Sequence, residues 1–169
     1  AAFSPAMLDR TPVEWSITNF DGIGQRRLYA LLKLRSEVFV VEQACPYPEL
    51  DGRDLLPETR HFWLETPDGS GRASTNQVIS TLRLMEEHSG GGKAFRIGRV
   101  CTKREHRGAG HTNRLLQAAL AEVGSYQCRI DAQTYLAEMY GRHGFVPDGA
   151  EFLEDGIPHV PMVRPGRAA

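Results

Sequence analysis

Phe95-Arg96-Ile97-Gly98-Arg99-Val100-Cys101-Thr102 leads into Arg107-Gly108-Ala109-Gly110-His111-Thr112, after which apolar residues recur at Leu115, Leu116, Ala119, Leu120 and Val123. The first segment alternates apolar and polar residues as a half-buried strand does, with Phe95, Ile97 and Val100 marking the apolar side. The last has the spacing of an amphipathic helix. Between them lies a basic glycine turn that feeds a helix N-terminus. Backbone N–H groups there lack intrahelical partners, and the helix dipole adds partial positive charge. The predicted unit is a strand, an anion-cradling turn and a helix. Gly98 within the strand predicts a bulge or a close approach by another backbone.

Spacing excludes two phosphate loops. A Walker loop has four residues between its glycines and then Gly-Lys-Ser/Thr, and a dinucleotide fingerprint has Gly-x-Gly-x-x-Gly. Here Gly108 and Gly110 supply Gly-x-Gly alone, with Asn113 where a third glycine would stand.

Outward from this unit, residues 13–18 read as a first strand with Val13, Trp15 and Ile17 on one face. Leu28, Leu31, Leu32, Arg35 and Phe39 describe one side of a helix beginning near Gly24. A Pro- and acid-rich loop at 43–58 is long enough to suggest a function. Strands at 59–66, 77–85 and 95–102 follow as an antiparallel meander, with Gly69-Ser70-Gly71 and Ser89-Gly90-Gly91-Gly92 as hairpin loops. Beyond the glycine turn, Cys128-Arg129-Ile130-Asp131-Ala132 reads as a strand, residues 133–143 as a short helix, and pieces near Phe145 and at 159–163 as closing strands. The class is α+β around a mixed sheet.

Whole-chain properties narrow the function. With 169 residues the chain is one domain's length, and 41% hydrophobic against 24% charged residues is ordinary for a soluble globular protein. No apolar run could span a bilayer. A net charge of −1 gives no field that would attract nucleic acid or anionic lipid. Charge is segregated along the chain instead. Arg96, Arg99, Lys103, Arg104, Arg107 and Arg114 crowd the central unit, while Glu42, Glu49, Asp51, Asp54 and Glu58 sit in or beside the earlier loop. That separation suits an anionic cosubstrate on one side and a cationic acceptor on the other. Cys45, Cys101 and Cys128 form no Cys-x-x-Cys pair, which argues against a disulfide framework or a zinc knuckle and for a reducing, cytoplasmic setting. The first seven residues lack the basic and apolar regions of a secretory signal.

The glycine turn resembles the acetyl-coenzyme A loop of the GNAT superfamily of N-acetyltransferases, Arg/Gln-x-x-Gly-x-Gly/Ala. Arg107 and Gly110 match it, and Thr112 stands where Gly or Ala is usual. Thr112 must then turn its methyl away or donate its hydroxyl to a phosphate. A second family pattern, Asn then Ala then Tyr then Gly-Phe, is met by Gln133, Leu136, Tyr140, Gly144 and Phe145, with Gln133 and Leu136 as departures. The resemblance is closer to the ElaA-like branch, through Leu28-Tyr29-Ala30-Leu31-Leu32-Lys33-Leu34-Arg35, Val38-Phe39-Val40-Val41-Glu42-Gln43, Cys45-Pro46-Tyr47, Asp51-Gly52-x-Asp54-Leu55, His61, Ile97-Gly98-Arg99-Val100 and Glu154-Asp155-Gly156-Ile157-Pro158-His159.

The resemblance implies an acyl-CoA N-acyltransferase fold, a splayed central mixed β-sheet flanked by helices, in a single N-acetyltransferase domain at 13–164 with tails at 1–12 and 165–169. It implies an N-acetyltransferase that passes acetyl from acetyl-CoA to a primary amine of a small molecule or peptide by direct attack in a ternary complex. The alternative is a catalytically weak acyl-CoA-binding or sensor protein. The pantetheine arm would pair with backbone at Val100, Cys101 and Thr102 and meet the Gln133 amide. The pyrophosphate would sit on Gly108, Ala109, Gly110, His111 and Thr112, with Arg107 adding charge. Tyr140 would be the general acid, the N–H of Val100 or Cys101 the oxyanion donor, and Glu42 and His61 the leading general-base candidates, ahead of His159 and His111. No metal, nucleic acid or membrane enters this reading. Its partners are acetyl-CoA and an amine acceptor, and the assembly is a monomer or homodimer.

Overall fold

The computed structural model describes residues 14–67, 70, 72 and 76–167. Val13, the stretch read as an N-terminal tail, and Gly69 and Gly71 of the first glycine loop lie outside them.

In chain order, β1 (Glu14–Thr18) is followed by α1 (Phe20–Ile23), α2 (Gln25–Ser36) and a π-helical turn (Glu37–Glu42). The loop at 43–58 then leads to β2 (Arg60–Thr66), β3 (Gln77–Ser89) and β4 (Gly92–Thr102), each antiparallel to its neighbour as the meander predicts. Next come α3 (His111–Val123), β5 (Cys128–Gln133), a 3-10 turn (Thr134–Leu136) and α4 (Ala137–Gly141). Finally β6 (Val146–Pro147), β7 (Phe152–Glu154) and β8 (Ile157–Arg164) close the sheet in the order β1-β2-β3-β4-β5-β8-β6, with β7 also on β8. The chain stays on the fold past β8, since the Arg167 N–H donates to the Ser125 carbonyl at 2.8 Å.

Alternation along the strands builds two cores. Phe62, Leu64, Leu82, Leu84, Phe95, Ile97, Ile130, Ala132, Val160 and Met162 face α3, whose stripe of Leu115, Leu116, Ala119, Leu120 and Val123 is buried against them. On the opposite face Trp63, Val78 and Cys101 meet Ile23, Leu31, Leu34 and Val38. The α2 stripe differs from expectation at its end. The π-helical turn, with Gln43 N–H bonded to Val38 O at 3.2 Å, adds a residue to the turn, so Val38 is buried and Phe39 only half-buried.

The expected helix at 133–143 is shorter and starts later. Gln133 remains in the sheet opposite His159, which commits its backbone to β8, and helix proper runs only through α4. Trp15, expected on an apolar face, is 46% exposed on the edge strand.

The centre of the sheet carries two irregularities. Thr81 pairs with Cys101 but Arg83 with Gly98, so Arg99 and Val100 together oppose Leu82 in a β-bulge. The bulge explains why the apolar side of β4 runs Phe95, Ile97, Val100: the extra residue returns Val100 to the α3 face. Arg99, rather than Gly98, takes the left-handed conformation, at φ 51°. The second irregularity is a split. β4 and β5 pair in parallel only at Phe95–Cys128 and Arg96–Arg129, after which β4 follows β3 to Thr102 and β5 follows β8 to Gln133.

Candidate active site

The split opens into a cleft of about 990 Å³. Its walls are residues 98–102 of β4, the turn after it, Gln133 at the end of β5 and Tyr140 of α4. The fold thus brings together every residue proposed for cosubstrate binding except Ala109, which does not line the cleft.

Gly108 and Gly110 adopt φ of 83° and 81°, left-handed values that side chains other than glycine rarely tolerate. No atom lies within 4 Å of where a Cβ would stand at either, so conformation rather than crowding requires glycine. Gly110 is the N-cap of α3 and brings no capping side chain, so the first-turn amides depend on another partner. An anion is that partner's natural chemistry.

Thr112 turns its hydroxyl toward β4. It pairs with the Thr102 hydroxyl at 2.8 Å, which pairs with Ser80 Oγ at 2.8 Å, and Ser80 donates to Cys101 O at 3.2 Å. The side chain that departs from the family pattern therefore pins the helix start to the strand end.

Arg107 is committed within the protein. Its Nε donates to Thr102 O at 2.9 Å and its Nη2 reaches the Glu42 carboxylate at 2.8 Å. This corrects two expectations together. Glu42 lines the cleft, but its carboxylate pairs with Arg107 instead of standing free as a base, and Arg107, also at the cleft, is tied to Glu42 and to the end of β4.

His61 is corrected more sharply. Strand alternation puts it with Trp63 under the loop at 43–58, 1% exposed, away from the cleft lining. Its Nε2 donates to Asp54 O at 3.2 Å, and burial holds the ring below the ordinary histidine pKa, hence neutral. His111 lines the cleft beside His106 at 6.4 Å between ring centroids, and partial burial lowers its pKa too.

Tyr140 is 3% exposed, with its ring edge-on to Phe145 at 6.1 Å. Burial, reinforced by Tyr135 and Cys101, raises the phenol's pKa, so the group stays protonated. Cys101 lies in the same dry region, and burial pushes its thiol up to about 12. Burial thus disfavours both anions, the Cys101 thiolate and the Tyr140 phenolate, in this region. The protonated thiol of Cys101 offers no nucleophile.

The segregation of charge along the chain is undone in space. Arg35, 1% exposed, donates to Glu49 at 2.7 Å and to both oxygens of Asp54 at 2.7 and 3.1 Å. Arg83 holds Asp51 at 2.9 and 2.7 Å and Asp54 at 3.2 Å. Arg99 reaches Glu49 O at 3.0 Å and lies over the Tyr47 ring at 5.4 Å. The acidic loop is thus strapped to α2 by Arg35 and to the sheet by Arg83 and Arg99, three arginines matched by three carboxylates. It walls the cleft with Tyr47, Asp51 and Arg53. Their role escaped the sequence reading because the cue, Asp51-Gly52-x-Asp54, names no partner. Glu154 and Asp155 at the β7–β8 turn supply carboxylates at the cleft, and Cys45 Sγ contacts Asp155 O at 3.5 Å.

A mixed sheet split between two parallel strands, with a glycine turn at a helix N-terminus beside the split, defines an acyl-coenzyme A N-acyltransferase. A family model described as the acetyltransferase (GNAT) domain matches residues 71–164. A UPF0039 protein of Mycobacterium tuberculosis is 76% identical over 141 residues, 83% of this chain and 86% of that protein. Protein ElaA of Escherichia coli is 31% identical over 158 residues, 90% of this chain and 96% of that one. Its crystal structure matches with a TM-score of 0.79 over 90% of this chain and 99% of the other. The crystal structure of an acyl-CoA N-acyltransferase from Pseudomonas aeruginosa matches at 40% identity and a TM-score of 0.74, covering 89% and 99%. The chain belongs to the GNAT superfamily, in its ElaA-like branch, and is an acyltransferase. Among the described residues no helix is long and apolar enough to cross a membrane.

Proposed function

We propose that this acyltransferase moves an acetyl group from acetyl-coenzyme A to a primary amine of a small molecule or peptide, by direct attack within a ternary complex. One observation carries the reading: the β4–β5 split, the glycine cradle and the Tyr140 phenol share one cleft. The amides at 108–112 take the pyrophosphate, aided by the α3 dipole. The free β4 edge at 100–102 accepts the pantetheine amides as an added strand, with the Gln133 side chain on the other wall. The Val100 or Cys101 N–H, offered by the bulge, stabilises the charge that develops on the thioester oxygen. Tyr140 gives its proton to the departing sulfur. Glu154 and Asp155 draw the cationic acceptor toward the cleft, and the three buried thiols suit a reducing, cytoplasmic setting.

The test pairs calorimetric titration of acetyl-coenzyme A with thiol release over a panel of primary amines, for wild type and Tyr140→Phe. The expectation is saturable binding by both proteins, with kcat reduced about a hundredfold or more in the variant. Binding without thiol release for any amine would favour an acyl-coenzyme A sensor, and absence of binding would overturn the reading.

A further inference from the structure

The reaction needs a group that takes a proton from the acceptor ammonium, and the fold engages the two leading candidates, His61 and Glu42, elsewhere. His61 is sealed beneath the acidic loop, and Glu42 is paired with Arg107. Among the described residues three imidazoles line the cleft, and two of them, His106 and His111, flank the glycine turn, which leaves His159. His159 on β8 stands opposite Gln133, at the end of β5 away from its pairing with β4, and lines the cleft while only 8% exposed.

Three contacts fix how that ring is presented. Nδ1 lies 2.7 Å from Ile157 O. A carbonyl oxygen only accepts, so Nδ1 carries the hydrogen and Nε2 carries the lone pair. Phe152, its cross-strand neighbour on β7, stacks on the ring at 5.6 Å and 21°, which sets the ring plane. The Glu154 carboxylate lies 3.9 Å from Nε2, too far for a hydrogen bond, so it leaves that nitrogen's lone pair unoccupied. A strand-borne imidazole is therefore locked in one tautomer, with its basic nitrogen not hydrogen-bonded and on the side of the Glu154 carboxylate.

We infer that His159 is the general base of the acyl transfer, a catalytic residue acting through Nε2. This deepens the N-acetyltransferase reading and rests on it. Nε2 accepts one proton from the acceptor R–NH₃⁺, and the electron pair of the broken N–H bond stays on nitrogen. That pair forms the new N–C bond to the thioester carbon as the C–S bond breaks and its electrons leave on sulfur. Tyr140 protonates the sulfur and regains a proton from the second one shed by the amine nitrogen. The imidazolium returns its proton to water, so amide, free thiol and one proton leave.

Two measurements test this. Long-range ¹H–¹⁵N correlation of the wild-type protein in mildly alkaline buffer, with His159→Gln for assignment, should show Nδ1 protonated and Nε2 bare. An Nε2–H tautomer would overturn the assignment whatever the acceptor is. Thiol release from acetyl-coenzyme A should then be followed with spermidine, a lysine-containing peptide and an aminoglycoside. His159→Gln and His159→Ala should lower kcat about a hundredfold or more while the KM for acetyl-coenzyme A stays within about threefold. Added imidazoles should restore part of the His159→Ala rate in proportion to their basicity, which a packing defect would not show. Variants that match an active wild type would sink His159 alone. A wild type that neither binds acetyl-coenzyme A nor releases thiol would instead sink the acetyltransfer reading.

Discussion

Arg99 concentrates the logic of the site in one residue. A side chain other than glycine at φ 51° costs about 1–3 kcal/mol and persists only where its surroundings hold it there. The hold comes from the acidic loop: Glu49 O and Glu49 Oε1 at 3.0 Å, Asp51 at 3.4 Å and the face of Tyr47. The strain produces the bulge, and the bulge turns β4 away from β5 at the point where the cosubstrate is proposed to enter. Arg99→Gly loses the clamp but relaxes the backbone, whereas Arg99→Ala loses the clamp and keeps the strain. Urea unfolding should therefore find the alanine variant less stable than the glycine variant by about 1 kcal/mol. Equal stabilities, or the reverse order, would show that the bulge residue is unstrained.

At the scale of elements, what the sequence made legible was whatever local periodicity governs. The α3 stripe from Leu115 to Val123 is buried as its spacing predicts, and the Phe95, Ile97, Val100 pattern carried the bulge in its three-residue step. The glycine cradle was equally readable, because Gly108 and Gly110 need a conformation that few residues share. What escaped depends on pairings between distant segments. His61 alternates to the face under the acidic loop, and nothing near it in sequence says that Asp54 O will cover Nε2. Glu42 and Arg107 are 65 residues apart and were assigned separate tasks, yet they neutralise each other. Thr112 looked like an obstacle until Thr102 and Ser80 supplied partners for its hydroxyl. His159 ranked behind Glu42 and His61 because its tautomer is set by a carbonyl two residues away and its plane by a cross-strand phenylalanine, neither of which the sequence shows.

For the whole molecule, the buried charges that strap the acidic loop make stability depend on pH in two windows. Hydrogen bonds from Arg83 hold Asp51 well below the carboxylate range. Burial alone would raise Asp54, but hydrogen bonds and charge from Arg35, with Arg83, outweigh it and hold that group low as well. Their stabilisation is complete above the unfolded carboxylate value of about 3.9 and is lost as pH falls through the folded values. His61 acts in the other window. Its folded pKa is depressed by burial, so below about 6.5 the unfolded chain binds a proton that the folded one does not, and stability declines with falling pH. His111 and His143 add to this limb in the same sense. The urea midpoint should thus fall gently below about pH 6.5 and steeply below about pH 4. His61→Gln should shallow the upper limb and leave the lower unchanged, and an unaltered upper limb would contradict a neutral buried His61.

The loop, bulge and split act together to hold β4 and β5 apart beside the cradle, and a crystal structure of the protein with coenzyme A examines that arrangement most directly. The expected result has pyrophosphate oxygens on the amides of residues 108–112, pantetheine paired with β4 at 100–102, and sulfur beside the Tyr140 hydroxyl. Coenzyme A bound away from the split, or held off the cradle by Thr112, would contradict it.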